Sequence, residues 1–515
     1  MRAYYLWAGI ALLAARAQAA EWPLIGGDIG NTRNAGNERL INVDNASRLQ
    51  PKWSTAVKGV QQETPVADAT TLYVANGQGT VFWISRADGK IQREVDVAAT
   101  TGISGISARG LSLSDTAVIF GTRGGPYVVA LDKNTGALLW KAKIDDHALA
   151  SVTQPPLVHK GHVYVGTSGL GEEVQATFPN YDKCCAFRGG VVALDAKTGM
   201  QIWKTYTIPE GFGGGSVWSR MPSIDIKRNT LYITSGNLYR APKTVQECID
   251  QAKAMRDTTL AGSCWPASVW NDSIIALNPD TGAIKWGFRA DDQDIFTGAC
   301  LRPDLGAACG GGDDVDFGNG ALIWNDLVGA GQKTGTFWAL NPKDGKVAWQ
   351  KNIGPAGPTG GILKGSATDG KRIYAASANA KQVFHFPASH TLPSGQTIKY
   401  GSFAALDAAS GEIVWQVPDP AGAQFPGNDN ECKVDSPRED CTGAFLKGPV
   451  TTANGVVYAC STAPDGPMYA FDASNGALLW TFKSGASCDS GAAIIDGVVY
   501  WVGGRTLYAF TIPKT

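Results

Sequence analysis

Two adjacent cysteines, Cys184 and Cys185, are the most unusual chemical feature of this 515-residue chain. Across a trans peptide their Cα atoms would stand ~3.8 Å apart, below the ~4.4 Å lower end of ordinary disulfides, so a bridge between them closes a flat, strained ring. Such an element implies a local purpose; the alternative is that each cysteine pairs elsewhere. The chain holds 10 cysteines in all, an even number that implies disulfides in an exported protein. Connectivity is not fixed by sequence, and local pairs are the economical expectation: Cys184 with Cys185, Cys248 with Cys264, Cys300 with Cys309, Cys432 with Cys441, and Cys460 with Cys488. No C-x-x-C metal pattern and no C-x-x-C-H haem attachment occurs, and His147, His159, His162, His385 and His390 all lie away from paired cysteines. If electrons leave this protein through a haem, that haem sits on another chain.

Export is expected from the first residues. Arg2 supplies a positive start, Tyr4 to Ala15 an apolar run, and Ala17-Gln18-Ala19 a small-residue cleavage site, so residues 1–19 read as a signal peptide. The apolar run is shorter than the ~20 residues that a membrane-spanning helix needs. No cysteine lies near the cleavage site to carry a lipid, so the expected location is periplasmic or secreted. A formal net charge of -1 gives no electrostatic reason to propose nucleic acid or an anionic membrane as partner.

The elements that must position any site come from a repeat: an apolar strand, an Asp or Asn turn, Gly, then a strand ending in Trp. Copies occupy 128–140, 191–203, 274–286, 337–349, 403–415 and 468–480, and a weaker one at 81–93 has Arg93 where the others have Trp. Apolar alternation around D-x-x-x-G or N-x-x-x-G is a hairpin signature, because glycine supplies the positive φ that the turn demands. The C-terminal run from Leu507 to Phe510 starts a further copy without its second strand, and Trp53 lies in a strand without its partner. They complete each other and give eight units. The expected fold is all-β, an eight-bladed β-propeller with tryptophan-docking repeats, closed by pairing of the N- and C-terminal strands so that no sheet edge is left open. It is expected to fill residues 20–515 as a single body. The interval from Trp203 to Trp286 is longer than the others by about twenty residues, which marks inserted loops. Loops at about 238–270 and 287–316 carry Cys248, Cys264, Cys300 and Cys309 and are expected to build a substrate entrance.

The vicinal cysteines followed by Arg188-Gly189, the tryptophan-docking repeats, Val217-Trp218, Ser235-Gly236-Asn237 and Asp316-Phe317-Gly318, in that order, resemble the PQQ-dependent quinoprotein alcohol dehydrogenases over nearly all of the mature chain. CCAFRG looks most like the polyvinyl alcohol dehydrogenase branch. The resemblance implies pyrroloquinoline quinone (PQQ) near the propeller axis, sandwiched between the vicinal disulfide, Cys184-Cys185, and Trp218, with Ca²⁺ bridging it to the protein. It assigns Arg109, Arg188 and Lys333 to the cofactor's carboxylates or quinone oxygens, because an anionic ligand needs positive donors. Thr153, Ser168 and Ser216 match hydroxyl contacts, with Gln62 as a further candidate; strand-end hydrogen bonding is the alternative for all four. Asn237 matches the amide ligand of the metal. The carboxylate ligand is expected from Glu172 or Glu173, with Glu173 preferred because adjacent residues of an extended segment face opposite ways. Asp316 matches the catalytic base and metal ligand, with Asp313 and Asp314 as rivals.

Three departures from the methanol-oxidising branch stand out. The cysteine pair follows the glutamates, the Cys300–Cys309 loop precedes the aspartate, and Lys333 stands where that branch has arginine. Gly318, two residues beyond Asp316, replaces the extra aspartate of lanthanide-using relatives and favours Ca²⁺. The expected activity is oxidation of a secondary alcohol or polyol, polymeric substrates included, with electrons passed to a separate cytochrome c. A non-catalytic scaffold like the outer-membrane assembly lipoproteins, or a PQQ sugar dehydrogenase, are the competing readings.

Overall fold

The computed structural model describes residues 21–59, 63–178, 180–181, 184–291, 293–302, 309–379, 389–426, 443–445 and 448–513. Among them are eight four-stranded antiparallel sheets. Blade 1 is Val66–Ala67, Thr71–Ala75, Thr80–Ser85 and Ile91–Asp96, and blade 2 is Ser107–Leu113, Ala117–Arg123, Tyr127–Asp132 and Leu138–Lys143. Blades 3 to 7 repeat the pattern, each repeat copy supplying the third and fourth strands as a hairpin. In blade 8 the strand Gln50–Ala56 pairs antiparallel with Thr506–Thr511, Trp53 opposite Ala509, which closes the ring.

The repeat tryptophans dock between blades. Indole Nε1–H groups donate to a turn carbonyl of the next blade, Trp140 to Ala196 at 3.0 Å and Trp203 to Pro279 at 2.9 Å. The ring then lies on the turn glycine: a Cβ on Gly282, whose φ is +72°, would fall 2.5 Å from Trp203, so this turn requires glycine both for its backbone and for its space. Blade 1 solves the missing tryptophan differently. Trp83, paired with Arg93 across the sheet, donates to Lys133 O at 2.8 Å, and the Arg93 guanidinium reaches Asn134 O at 3.2 Å.

The expected inserted loops are partly helical. Helices Lys243–Met255 and Thr258–Ser263 are tied by Cys248–Cys264 and cover a small core of Ile208, Leu238, Ile249, Trp265 and Ile295. Cys300–Cys309 closes the following loop and Cys460–Cys488 joins blade 7 to the approach of blade 8. Cys432 and Cys441 lie outside the described residues, as does the segment 1–20. Among the described residues no helix is long and apolar enough to cross a membrane.

The start of each first strand and the end of each second strand open on the same end of the ring, because neighbouring strands are antiparallel. Glu63, Trp218, Asp316, Lys364 and Asp489 precede first strands, while Asn237 and Lys333 follow second strands. The N-terminal segment serves the opposite end. From Trp22 to Ala35 it hydrogen-bonds in turn to Ala67, Leu113, Ile224, Ile323, Thr368 and Thr452, residues in the first strands of six blades, and so threads the axial channel.

Candidate functional site

Asp316 lies at the centre of a buried cluster. Its Oδ2 accepts the Trp218 indole N–H at 2.7 Å, and its Oδ1 stands 2.7 Å from Lys333 Nζ. The same ammonium bridges to Asp314 Oδ1 and sits 5.2 Å from the centre of the Trp218 ring. Asp314 turns back through a positive φ of 55°, which lets two carboxylates two residues apart share one lysine. Burial and the neighbouring Asp316 and Glu173 push the Asp314 carboxyl well up despite Lys333, and the two carboxylates hold Lys333 above its ordinary value against burial.

Ser235-Gly236-Asn237 continues the blade 4 strand Thr230–Thr234 and wedges under this cluster. A Cβ on Gly236 would fall 2.5 Å from Asp316 Oδ2 and 2.9 Å from Trp218 Nε1, so only glycine lets the backbone pass. Asn237 is buried; its amide NH₂ donates to Leu238 O at 2.9 Å and Phe296 O at 2.8 Å, leaving Oδ1 as the free acceptor. Glu173 completes the group. Burial lifts its carboxyl to about 7, with Lys333 opposing and Asp316 adding, and the Tyr239 hydroxyl hydrogen-bonds to it.

The fold separates Glu172 from this cluster, correcting its candidacy as a metal ligand. Residues 170–175 form a helix rather than an extended segment, and the Glu172 carboxylate is consumed by Ala186 N at 2.9 Å, Phe187 N at 2.8 Å and the Tyr181 hydroxyl at 3.1 Å. Arg188 is corrected as a cofactor ligand. It precedes the third strand of blade 3 and turns outward, donating to Ile208 O at 3.0 Å and lying 4.1 Å over the Tyr206 ring. Thr153 donates to Trp218 O at 3.2 Å, Ser168 Oγ accepts from Leu170 N at 3.3 Å, and Ser216 Oγ accepts from Gly169 N at 3.0 Å and pairs with the Tyr239 hydroxyl at 2.9 Å. These hydroxyls brace the frame around Trp218 and the helix bearing Glu173. Gln62 lies outside the described residues.

Cys184 and Cys185 are bonded to each other. The peptide between them is cis, so their Cα atoms lie 3.0 Å apart and not at the trans spacing assumed from sequence. Cys185 is buried with Ala150, Ala176, Phe187 and Tyr239, beside the residue that holds Glu173.

Arg109, on the innermost strand of blade 2, reaches Glu63 at 3.9 Å, and Arg220 pairs with the same carboxylate. Burial would raise Glu63, but Arg220, Arg109 and Lys364 outweigh it and hold it below the ordinary range. Sequence reasoning missed Glu63, Arg220, Lys364 and Tyr239. Arg220 stands two residues after Trp218 and Glu63 directly after Gln62, the nearest signals available.

The donor set has the chemistry of a hard cation: two carboxylates, Glu173 and Asp316, and one amide oxygen. Among the described residues no group of three acidic, histidine or cysteine side chains is arranged to hold a metal by itself. Since Ca²⁺ takes six to eight oxygens, such an ion would draw others from a cofactor or water. Crowded carboxylates around one lysine leave an excess of negative charge that a divalent cation would neutralise, so the residues fit the group.

Eight blades with their charged side chains gathered at one end of the axis place the molecule among the propeller oxidoreductases. Residues 22–298 and 371–494 match the PQQ glucose/ethanol/alcohol dehydrogenase β-propeller domain, and the chain belongs to that family of quinoprotein dehydrogenases. It is 28% identical to a polyvinylalcohol dehydrogenase of Pseudomonas sp. over 95% of this chain and 72% of that protein, and 27% identical to one from Sphingopyxis sp. over 89% and 67%. Among solved structures it is similar to the quinohemoprotein alcohol dehydrogenase of Comamonas testosteroni, with a TM-score of 0.67 at 20% identity over 98% of this chain and 83% of that one. BamB from Moraxella catarrhalis shares the fold at a TM-score of 0.54 and 15% identity, covering 90% of this chain and 99% of that one.

Proposed function

We propose that this chain is a periplasmic or secreted dehydrogenase that oxidises a secondary alcohol or polyol using PQQ and Ca²⁺ and delivers electrons to a separate cytochrome c. The observation that carries the reading is the clamp on Asp316: one carboxylate fixed by an indole N–H and an ammonium, beside a free amide oxygen and Glu173. Glu173, Asn237 Oδ1 and Asp316 would hold the cation, and Trp218 would present its face to the quinone. Arg109 would meet a cofactor carboxylate, and the Cys184–Cys185 disulfide would cover the other face. When bound, the quinone supplies the two-electron acceptor for the substrate hydride and the metal supplies Lewis acidity.

Asp316 takes the substrate hydroxyl proton. Trp218 Nε1 and Lys333 Nζ fix the direction of its two oxygens, and Lys333 offsets the repulsion between Asp314 and Asp316. A cavity of about 350 Å³ beside the 313–315 turn, lined by Lys253, Thr258, Asp291, Gln293, Asp294 and Asp313 among others, is polar and suits a hydroxylated substrate. The likeness to polyvinylalcohol dehydrogenases supports the same substrate class. Gly318 supports Ca²⁺ over a lanthanide: a Cβ there would fall 2.6 Å from Leu363 O, leaving no room for an additional aspartate.

The test is dye-linked oxidation of a panel of secondary alcohols and polyols by apo-protein given PQQ and Ca²⁺. Activity should need both additions, should not be supported by La³⁺ in place of Ca²⁺, and should fall about 100- to 10,000-fold in Asp316→Asn. Absence of PQQ binding by titration would overturn the reading and leave a scaffold.

A further inference from the structure

Below the candidate site, the N-terminal segment inserts Arg33 into the axis. The side chain is 0% exposed, and its Nη1 donates to Ile25 O at 3.1 Å and reaches Thr64 Oγ1 at 3.4 Å. Its Nε and Nη2 have no hydrogen-bond partner among the described residues. A fully buried guanidinium with two idle donors is among the most costly arrangements a fold can hold unless an acceptor completes it.

Its surroundings are cationic as well. Arg33 faces Arg220 and Glu63, Lys364 pairs with Asp489 and faces Arg220 and Glu63, and Arg109 reaches Glu63 from blade 2. Arg33, Arg220 and Lys364 thus share two carboxylates, and the deficit is of negative charge. Burial depresses Arg33 to about 9 and Lys364 to about 8, the direction expected of cations short of an anion.

We propose that Arg33, Arg220 and Lys364 form an anion receptor in the floor of the cofactor site and bind a carboxylate of the quinone. Glu63 supports the assignment, because it joins Arg220 to Arg109, which lies on the innermost strand of blade 2. The inference rests on the PQQ reading above and adds residues that the family resemblance did not supply. It also gives the N-terminal segment a task besides plugging the channel: Arg33 is carried by that segment alone, so cofactor affinity and the seating of the segment are linked.

The experiment is a titration of apo-protein with PQQ in excess Ca²⁺, followed by quenching of tryptophan fluorescence, on wild type, Lys364→Met, Lys364→Arg and Arg33→Met, with thermal melts of each. Lys364→Met and Arg33→Met should weaken PQQ binding by about thirtyfold or more, as loss of a charge-assisted hydrogen bond requires. Lys364→Arg should bind within a few-fold of wild type. Citrate, a free polycarboxylate, should compete with PQQ in wild type, whereas chloride at the same ionic strength should not; competition by chloride alone would assign the receptor to a simple ion and overturn the proposal. Unchanged PQQ affinity in Lys364→Met also overturns it. Should Arg33→Met fail to fold, Lys364→Met, which replaces the ammonium by an apolar end of similar reach, decides the matter. Wild type that binds no PQQ is a different result, since it removes the functional reading itself.

Discussion

Glu172 and Glu173 are sequence neighbours with separate tasks. In the helix 170–175 adjacent side chains point about 100° apart, so one carboxylate turns to the backbone of 186–187 and the other to Lys333 and Asp316. The preference for Glu173 rested on strand alternation; the separation is real, but its cause is helical. Glu173→Gln should lower Ca²⁺ affinity at least about tenfold with little change in melting temperature. Glu172→Gln should do the reverse, costing about 1–3 kcal/mol of stability by weakening acceptors for two buried N–H groups while Ca²⁺ titration stays as in wild type. A Glu172→Gln protein that melts normally but loses Ca²⁺ would exchange the two roles. Arg188 shows why residue-level reading runs out: charge and position in a motif give the type of contact, but the direction of a long side chain is set by neighbours such as Tyr206, distant in no motif.

Elements were legible where sequence encodes a paired demand. Each turn glycine answers a tryptophan of the preceding blade, so both residues recur, and the hairpins and ring closure follow from them. Blade 1 departs at Arg93, and nothing in the repeat announces that Trp83 donates in its place. The insert was read as loop, although Val245, Ile249 and Ala252 stand at helical spacing along Lys243–Met255, a signal short enough to be lost between two cysteines. The element that most sharply constrains chemistry is the end of the blade 4 second strand. Gly236→Ala would force its new methyl against Asp316 Oδ2 and Trp218 Nε1, neither of which can retreat without abandoning the other. We expect turnover to fall about 100-fold with the melting temperature within a few degrees of wild type, because the strand itself ends at Thr234. Normal kcat with full stability would mean that Asp316 is not held in the geometry described.

At the scale of the whole molecule, the ring and the axial segment form one device whose charge should be readable in its stability. Burial lowers Lys364 to about 8; Asp489 and Glu63 oppose the shift and Arg220 adds to it. The unfolded chain keeps that proton to about 10.4. Between pH 8 and 10 the unfolded state therefore binds more protons than the apo-protein, and stability must rise with pH across that window. Arg33, lowered to about 9 by burial and by Arg220 against Glu63, adds the same sign above pH 9. Buried tyrosines such as Tyr232 and Tyr374 are raised by burial and act oppositely above about pH 10, so the window closes there. Other titrating groups contribute to the raw curve, and the comparison with Lys364→Met isolates the lysine. From pH 8 to 10 apo wild type should gain melting temperature relative to that variant, and saturating PQQ with Ca²⁺ should flatten the gain, because an anion in the floor restores the charged lysine. Parallel curves for the two apo-proteins would show that Lys364 is satisfied without a ligand. None of this was visible in the sequence: the segment carrying Arg33 has no repeat, pairs through backbone groups, and acquires its meaning only when six blades converge on it.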